Sequence, residues 1–277
     1  MAVPPLRALL DAGFDVALVV TRADKRRGRG GALTPSPVKA AALDLGLPVS
    51  HLVDDVLAVG ADLGVVVAFG QLIKPHVLAQ LPMVNLHFSL LPRWRGAAPV
   101  ERALLAGDRD TGVALMQLEE GLDTGAVFAA DRMPIGERMT GEELRAALVA
   151  AGTTLLLDAL RRGLGVATPQ QGEPTYAAKL TPADLHLQFE RPAAELDRIV
   201  RVGGGWTTFR GKRLKVLAAE PLGASTGLAP GQLDGAIAGT AEGALRLLNV
   251  QPEGKAVMDA TAWLRGARPS AADRLGQ

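Results

Sequence analysis

Three short apolar runs, "DVALVVT" (15–21), "LGVVVAF" (63–69) and "MVNLH" (83–87), alternate with stretches whose apolar residues recur at helical spacing. No other feature of the chain constrains its fold as strongly. Runs of this length, rich in β-branched residues and bounded by Gly and Pro, read as strands, and "LGVVVAF" as a fully buried one. The helical patterns are "PPLRALLDAG" (4–13), "PVKAAALDLG" (37–46) and "KPHVLAQ" (74–80); the first two open on Pro and close on Gly, as helix ends favour. A strand-helix alternation predicts an α/β fold with an open, mostly parallel, Rossmann-like sheet covered by helices on both faces.

"PVERALLAG" (99–107) then reads as a helix, "GVALMQLE" (112–119) and "GAVFAADRMP" (125–134) as strands, and "GEELRAALVAAGTTLLLDALRRG" (141–163) as a long closing helix. Gln, Gly, Pro and Thr dominate residues 166–182, which read as a linker between a first domain, 1–165, and a second, 183–277. The second domain has one helical segment, "PAAELDRIV", and brief strands such as "KRLKVLAAE", "GAIAGT" and "LRLLNVQ". A small β-barrel-like, OB-like domain is the expectation.

Composition removes several function classes. With no Cys there is no disulfide, thiolate nucleophile or Cys-ligated metal, and His51, His76, His87 and His186 show no ligand-type spacing, so no metal centre is expected. The 30 basic residues nearly cancel the 29 acidic ones, so a nucleic-acid partner would have to meet a local patch. No apolar run reaches membrane-spanning length and the N-terminus lacks a signal-peptide core, so a cytoplasmic protein without membrane attachment is expected. A monomer is the separate expectation for its oligomeric state.

In a strand, residues two apart share a face, so Asn85 and His87 of "MVNLH" project together at a carboxyl end, where open α/β sheets bind ligands. A satisfied core histidine beside a turn-capping Asn is the plainer alternative. A third polar group, Asp123, lies in "EEGLDTGAV" between two glycines; alone it reads equally as an Asx-turn residue. Together, Asn, His and Asp can bind a carbonyl oxygen, donate to it as it becomes an oxyanion and manage a proton. Without a Cys or a G-x-S-x-G elbow, direct transfer to a nucleophile suits them better than a covalent enzyme intermediate. "TRADKRRGRGGALTPSPVK" (21–39) concentrates Arg22, Lys25, Arg26, Arg27 and Arg29 among glycines, as either a solvated loop or a phosphate contact.

The block "NLHFSLLPRWRGAAPVERALLAGDRDTGVALMQLEEGLDTG" (85–125) resembles the central block of the methionyl-tRNA formyltransferases, within the wider group of enzymes that use 10-formyltetrahydrofolate. The resemblance implies that Asn85, His87 and Asp123 are the catalytic trio and that Ser89, Leu90, Leu91 and Pro92 line the folate site. It further implies that the formyl group passes to the α-amine of initiator methionyl-tRNA. By the same resemblance the basic stretch meets the tRNA acceptor end, with Lys212, Arg213 and Lys215 of the second domain as further phosphate candidates. These three read equally as ordinary surface charges. Two other readings stay open: a formyltransferase acting on an amino sugar nucleotide, and a folate- or RNA-binding remnant without turnover. The family normally has a strand and a G-T-P-like turn ahead of the "PPLRALL" helix, and nothing before Met1 supplies them; a truncated chain with unpartnered strands at the sheet centre is expected. "VRVGGGWTTFRGKRL" and "DLHLQF" also depart from the family's Pro- and Trp-containing pattern.

Overall fold

The computed structural model describes residues 1–27, 31–223 and 226–277. The chain forms two compact units: residues 1–99, 110–134 and 145–177 make the first, and 100–109, 135–144 and 178–277 the second. In chain order the elements are α1 (Val3–Asp11), β1 (Val19–Val20), β2 (Lys25–Arg27), β3 (Ala32–Thr34), α2 (Pro37–Asp44), β4 (Val49–Ser50), β5 (Gly64–Val67), α3 (Pro75–Leu78), β6 (Met83–His87), β7 (Arg95–Gly96), α4 (Pro99–Ala106), β8 (Asp110–Gln117), β9 (Val127–Pro134), α5 (Gly141–Arg162) and β10 (Tyr176–Ala177). Local signals set several boundaries. Ser36 caps α2, its Oγ accepting the Lys39 N–H at 3.2 Å, with Pro37 opening the helix. α5 starts on a reciprocal cap: Glu143 accepts the Thr140 N–H at 2.8 Å and the Thr140 hydroxyl accepts the Glu143 N–H at 3.2 Å.

β5 and β6 pair in parallel, whereas β6 pairs antiparallel with β8 and β8 antiparallel with β9, so this four-stranded sheet is mixed. β1 pairs in parallel with β4 as a separate ribbon. Among the described residues no hydrogen bond joins β1 to β5. A cavity of about 820 Å³ lies there, lined by Val16, Leu18, Val20, Val65 and Val67 among others. The expectation that "LGVVVAF" is fully buried is therefore corrected: every position of β5 is half-buried, against five buried positions in β6. A strand of a parallel sheet is enclosed only when both of its edges and both of its faces are covered, and β5 is paired along one edge. "DVALVVT" shrinks to the two residues of β1 for the same reason.

Helix α5 decides which face of β6 is free. Cβ atoms built on Gly152 would come within 2.9 Å of Leu86 and 3.0 Å of Val113, both fully buried, so the helix lies tight on that face. Mid-helix Gly costs about 1 kcal/mol against Ala; here it permits the close approach. Leu86 points at α5, so Asn85 and His87, one residue either side of it, point the other way.

The second unit carries α6 (Ala193–Val202), β11 (Trp206–Phe209), β12 (Lys212–Leu222), β13 (Leu233–Asp234), β14 (Ile237–Gly239), β15 (Ala244–Pro252), β16 (Met258–Asp259) and α7 (Ala260–Ala267). Its strands form a six-stranded antiparallel sheet in the order β11-β12-β15-β14-β13, with β16 on β15. Phe189, Leu196, Ile199, Val216, Leu247 and Trp263 anchor its core. Buried Asp197 is neutralised by Arg138 at 2.8 Å and Arg201 at 2.7 Å.

Candidate active site

β6 sits between β5 and β8, with Asn85 opposite Val66 on one side and Met116 on the other, and His87 opposite Ala114. At its carboxyl end the chain enters the loop that leads to β7. Ser89, wholly buried, closes this loop by donating its hydroxyl to the Arg93 carbonyl at 2.6 Å. His87 Nε2 lies 2.9 Å from the Trp94 carbonyl. A carbonyl only accepts, so Nε2 carries a proton and Nδ1 is the nitrogen left to exchange one. Trp94 is turned toward the histidine by a left-handed backbone, φ +62°, held by its N–H on Thr175 Oγ1 at 2.9 Å.

Asp123 arrives from the turn between β8 and β9, itself left-handed at φ +50°. A side chain on Gly125 would collide with the Gln117 carbonyl, and one on Gly121 with the Thr124 hydroxyl, so the glycines let this turn close. One carboxylate oxygen of Asp123 accepts the Gly96 N–H at 2.7 Å and lies 3.6 Å from His87 Nδ1. The His87 and Asp123 side chains are 6% and 13% exposed, so charge between them is poorly screened. Gly96, at φ +116° with the Ala177 carbonyl 3.0 Å from where a Cβ would stand, has no room for a side chain. Asn85 is 9% exposed, yet among the described residues its side-chain amide has no partner. An amide with free donors, on a residue otherwise buried, is equipped for a substrate carbonyl.

The structure thus brings His87 to Asp123 and puts Asn85 on the same strand face as His87. None of the three lines the 820 Å³ cavity. Of the loop residues, Leu90, Leu91 and Pro92 are half-buried. Leu90 lies over Gly112, where any Cβ would meet its side chain.

Sequence reasoning missed one participant. Gln170 donates its amide N–H groups to the carbonyls of Asp123 and Gly125, both at 2.8 Å, and accepts from Arg95 Nε at 3.1 Å and from a terminal Arg95 nitrogen at 2.7 Å. The stretch expected as a linker is bonded to the first unit here: Thr168 pairs with Val127, and β10 pairs in parallel with β7. A glutamine within a Pro- and Gly-rich stretch carries no periodic signal, and backbone carbonyls as partners leave no trace in residue type.

In the basic stretch, β2 and β3 pair as an antiparallel hairpin. Arg22 and Arg26 are exposed, Lys25 and Arg27 lie on β2, and Arg29 lies outside the described residues. Lys39 is held by Asp24 at 2.9 Å. On β12, Lys212, Arg213 and Lys215 are all exposed, and the Arg213 guanidinium stacks 4.4 Å above the Trp206 ring. Among the described residues no group of His, Asp and Glu could hold a metal ion, and no helix is long and apolar enough to cross a membrane.

Residues 6–160 match the formyl transferase family, and residues 179–268 match the formyl transferase C-terminal domain. The chain is 47% identical over 285 residues to a methionyl-tRNA formyltransferase of Clavibacter sepedonicus, covering 96% of this chain and 93% of that one. It is 44% identical over 286 residues to one of Symbiobacterium thermophilum, covering 94% and 88%. Among solved structures, an N-formyltransferase from Helicobacter canadensis in complex with folinic acid and dTDP-3-aminofucose superposes with a TM-score of 0.70 over 91% of this chain and 95% of that one. At 16% identity that likeness concerns the fold.

Proposed function

The chain belongs to the methionyl-tRNA formyltransferases, and from that premise we propose that Asn85, His87 and Asp123 carry formyl transfer from 10-formyltetrahydrofolate to the α-amine of initiator methionyl-tRNA. The reaction is formylation of methionyl-tRNA from a folate-derived donor. The observation that carries the residue assignment is the amide of Asn85, without a partner among the described residues, on the face of β6 that bears His87, with the Asp123 carboxylate 3.6 Å from that imidazole.

The neutral amine attacks the formyl carbon, a C–N bond forms, and the formyl oxygen gains charge. Asn85 donates to that oxygen; one such donor is worth about 3–4 kcal/mol in the transition state. The proton shed by the amine passes to the His87–Asp123 pair as the carbon's bond to the folate nitrogen breaks, and that nitrogen takes up a proton. His87, fixed through Nε2 on Trp94, keeps Nδ1 facing the carboxylate. Leu90, Leu91 and Pro92 offer an apolar wall to the folate, and Ser89 shapes the loop from within. The exposed cations Arg22 and Arg26, with Lys25, Arg27 and Arg29 of the same stretch, meet acceptor-end phosphates, and Lys212, Arg213 and Lys215 meet others. The reading places the enzyme in the cytoplasm as a monomer.

Incubation with 10-formyltetrahydrofolate and either methionyl-initiator tRNA or an amino sugar nucleotide tests this. Formyl label is expected on methionyl-tRNA alone. Label on the sugar, or binding of both substrates by folded protein without transfer, would refute it.

A further inference from the structure

We propose that Gln170 is a positioning residue for formyl transfer, its amide joining the turn that bears Asp123 to strand β7, which bears Arg95 and Gly96. The inference rests on the reading of Asp123 as catalytic and adds a residue to it.

Gln170 spends its whole hydrogen-bonding capacity at this junction. Both amide protons go to carbonyls of the turn, those of Asp123 and Gly125 at 2.8 Å, and the amide oxygen takes two donors from Arg95. The partners dictate the amide's orientation, because carbonyls only accept and a guanidinium only donates. A closed ring results: Gln170 holds the Asp123 backbone, the Asp123 carboxylate holds the Gly96 N–H at 2.7 Å, and Arg95, bonded to Gly96 along the chain, returns to Gln170. The ring matters because Asp123 is left-handed, φ +50°, a conformation that costs a non-glycine residue free energy and persists only when its surroundings enforce it. Gln170 is itself anchored two residues away, where Thr168 and Val127 exchange two backbone hydrogen bonds of 2.8 Å.

No other side chain of this size does the same work. Glutamate keeps the shape and accepts from Arg95, but it turns an oxygen toward two carbonyls that need donors. Alanine removes both halves. In either case the Asp123 peptide can rotate and carry its carboxylate away from His87, and a misplacement of about 1 Å costs on the order of 100-fold in rate.

The test is steady-state kinetics with 10-formyltetrahydrofolate and methionyl-tRNA on the full chain and its Gln170→Ala, Gln170→Glu, Gln171→Ala and Asp123→Asn variants. For both Gln170 variants kcat should fall roughly 10- to 100-fold, with KM for the folate donor within about twofold and a displaced pH profile of kcat. Gln171, exposed beside it, serves as control and should leave kcat unchanged. A Gln170→Glu enzyme as fast as the parent overturns the proposal, because donation to the carbonyls is what it claims. So does a lowered melting temperature with kcat per folded molecule and pH profile unchanged, which would make the role purely structural. Asp123→Asn separates the two levels: intact Gln170 variants beside a crippled Asp123→Asn overturn this inference alone, and a fully active Asp123→Asn overturns the catalytic reading with it.

Discussion

Replacing Asp123 by Asn removes one charge while keeping the side chain's shape, and the structure sets the size of the effect. The carboxylate oxygen lies 3.6 Å from His87 Nδ1, and the two side chains are 13% and 6% exposed. At that separation an imidazolium and a carboxylate attract by ~4–5 kcal/mol with an effective permittivity of about 20. The Gly96 N–H, 2.7 Å from the same oxygen, already disperses part of the charge. A loss of about 3–4 kcal/mol in the transition state remains, or roughly 10²- to 10³-fold in the chemical step. The fold should survive, because Asn can still accept from Gly96; exchanging a charge-assisted hydrogen bond for a neutral one costs about 1 kcal/mol. That corresponds to a melting temperature lower by about 2–4 °C. Single-turnover formylation of methionyl-tRNA at saturating donor isolates the chemistry from release. A single-turnover rate within about threefold of the parent, or a defect confined to donor affinity, would refute the electrostatic role.

Gly125→Ala places a methyl against the Gln117 carbonyl, an overpacking worth about 1–3 kcal/mol; melting temperature and kcat should fall together, and an unperturbed enzyme would mean the turn has slack. Arg22→Ala combined with Arg26→Ala should raise KM for methionyl-tRNA, leave KM for the folate donor alone, and flatten the salt dependence by up to about two units of slope; unchanged tRNA kinetics would remove this stretch from the acceptor contact. In the second unit, the Arg102 guanidinium at 2.8 Å, helped by the Thr181 N–H and hydroxyl, holds the Asp184 carboxyl down to about 2 from its ordinary 3.8. A carboxyl depressed by folding contributes stability that is present above its unfolded pKa and is lost as pH falls through that value toward 2. Arg102→Ala should therefore destabilise the protein more at pH 7 than at pH 2 in urea unfolding, and an equal difference at both would refute the linkage.

The sequence by itself determined the elements that depend on neighbours in the chain. The alternation of "MVNLH" makes β6 and puts Asn85 and His87 on one face, and the Ser-Pro start of α2 and the Thr-Gly-Glu-Glu start of α5 fix those helix ends through groups a few residues away. The resemblance of residues 85–125 to a family carried the expected chemistry. The short helix α7, amphipathic and capped by the Asp259 side chain but only eight residues long with a glycine inside it, is not read as an element from the sequence.

Only the tertiary structure decided how the pieces meet. That Asp123 reaches His87 depends on the register of β8 and β9, on a glycine-bounded turn and on the Gly96 N–H, none of which is encoded in any single stretch. Gln170 escaped notice because its partners are mostly backbone carbonyls, which every residue type possesses. The half-burial of β5 follows the same rule: its valines are as apolar as any core strand's, but enclosure depends on a second neighbour, and β1 is not hydrogen-bonded to it. Residue types state which surfaces favour burial; the long-range packing of the chain determines which of them achieve it.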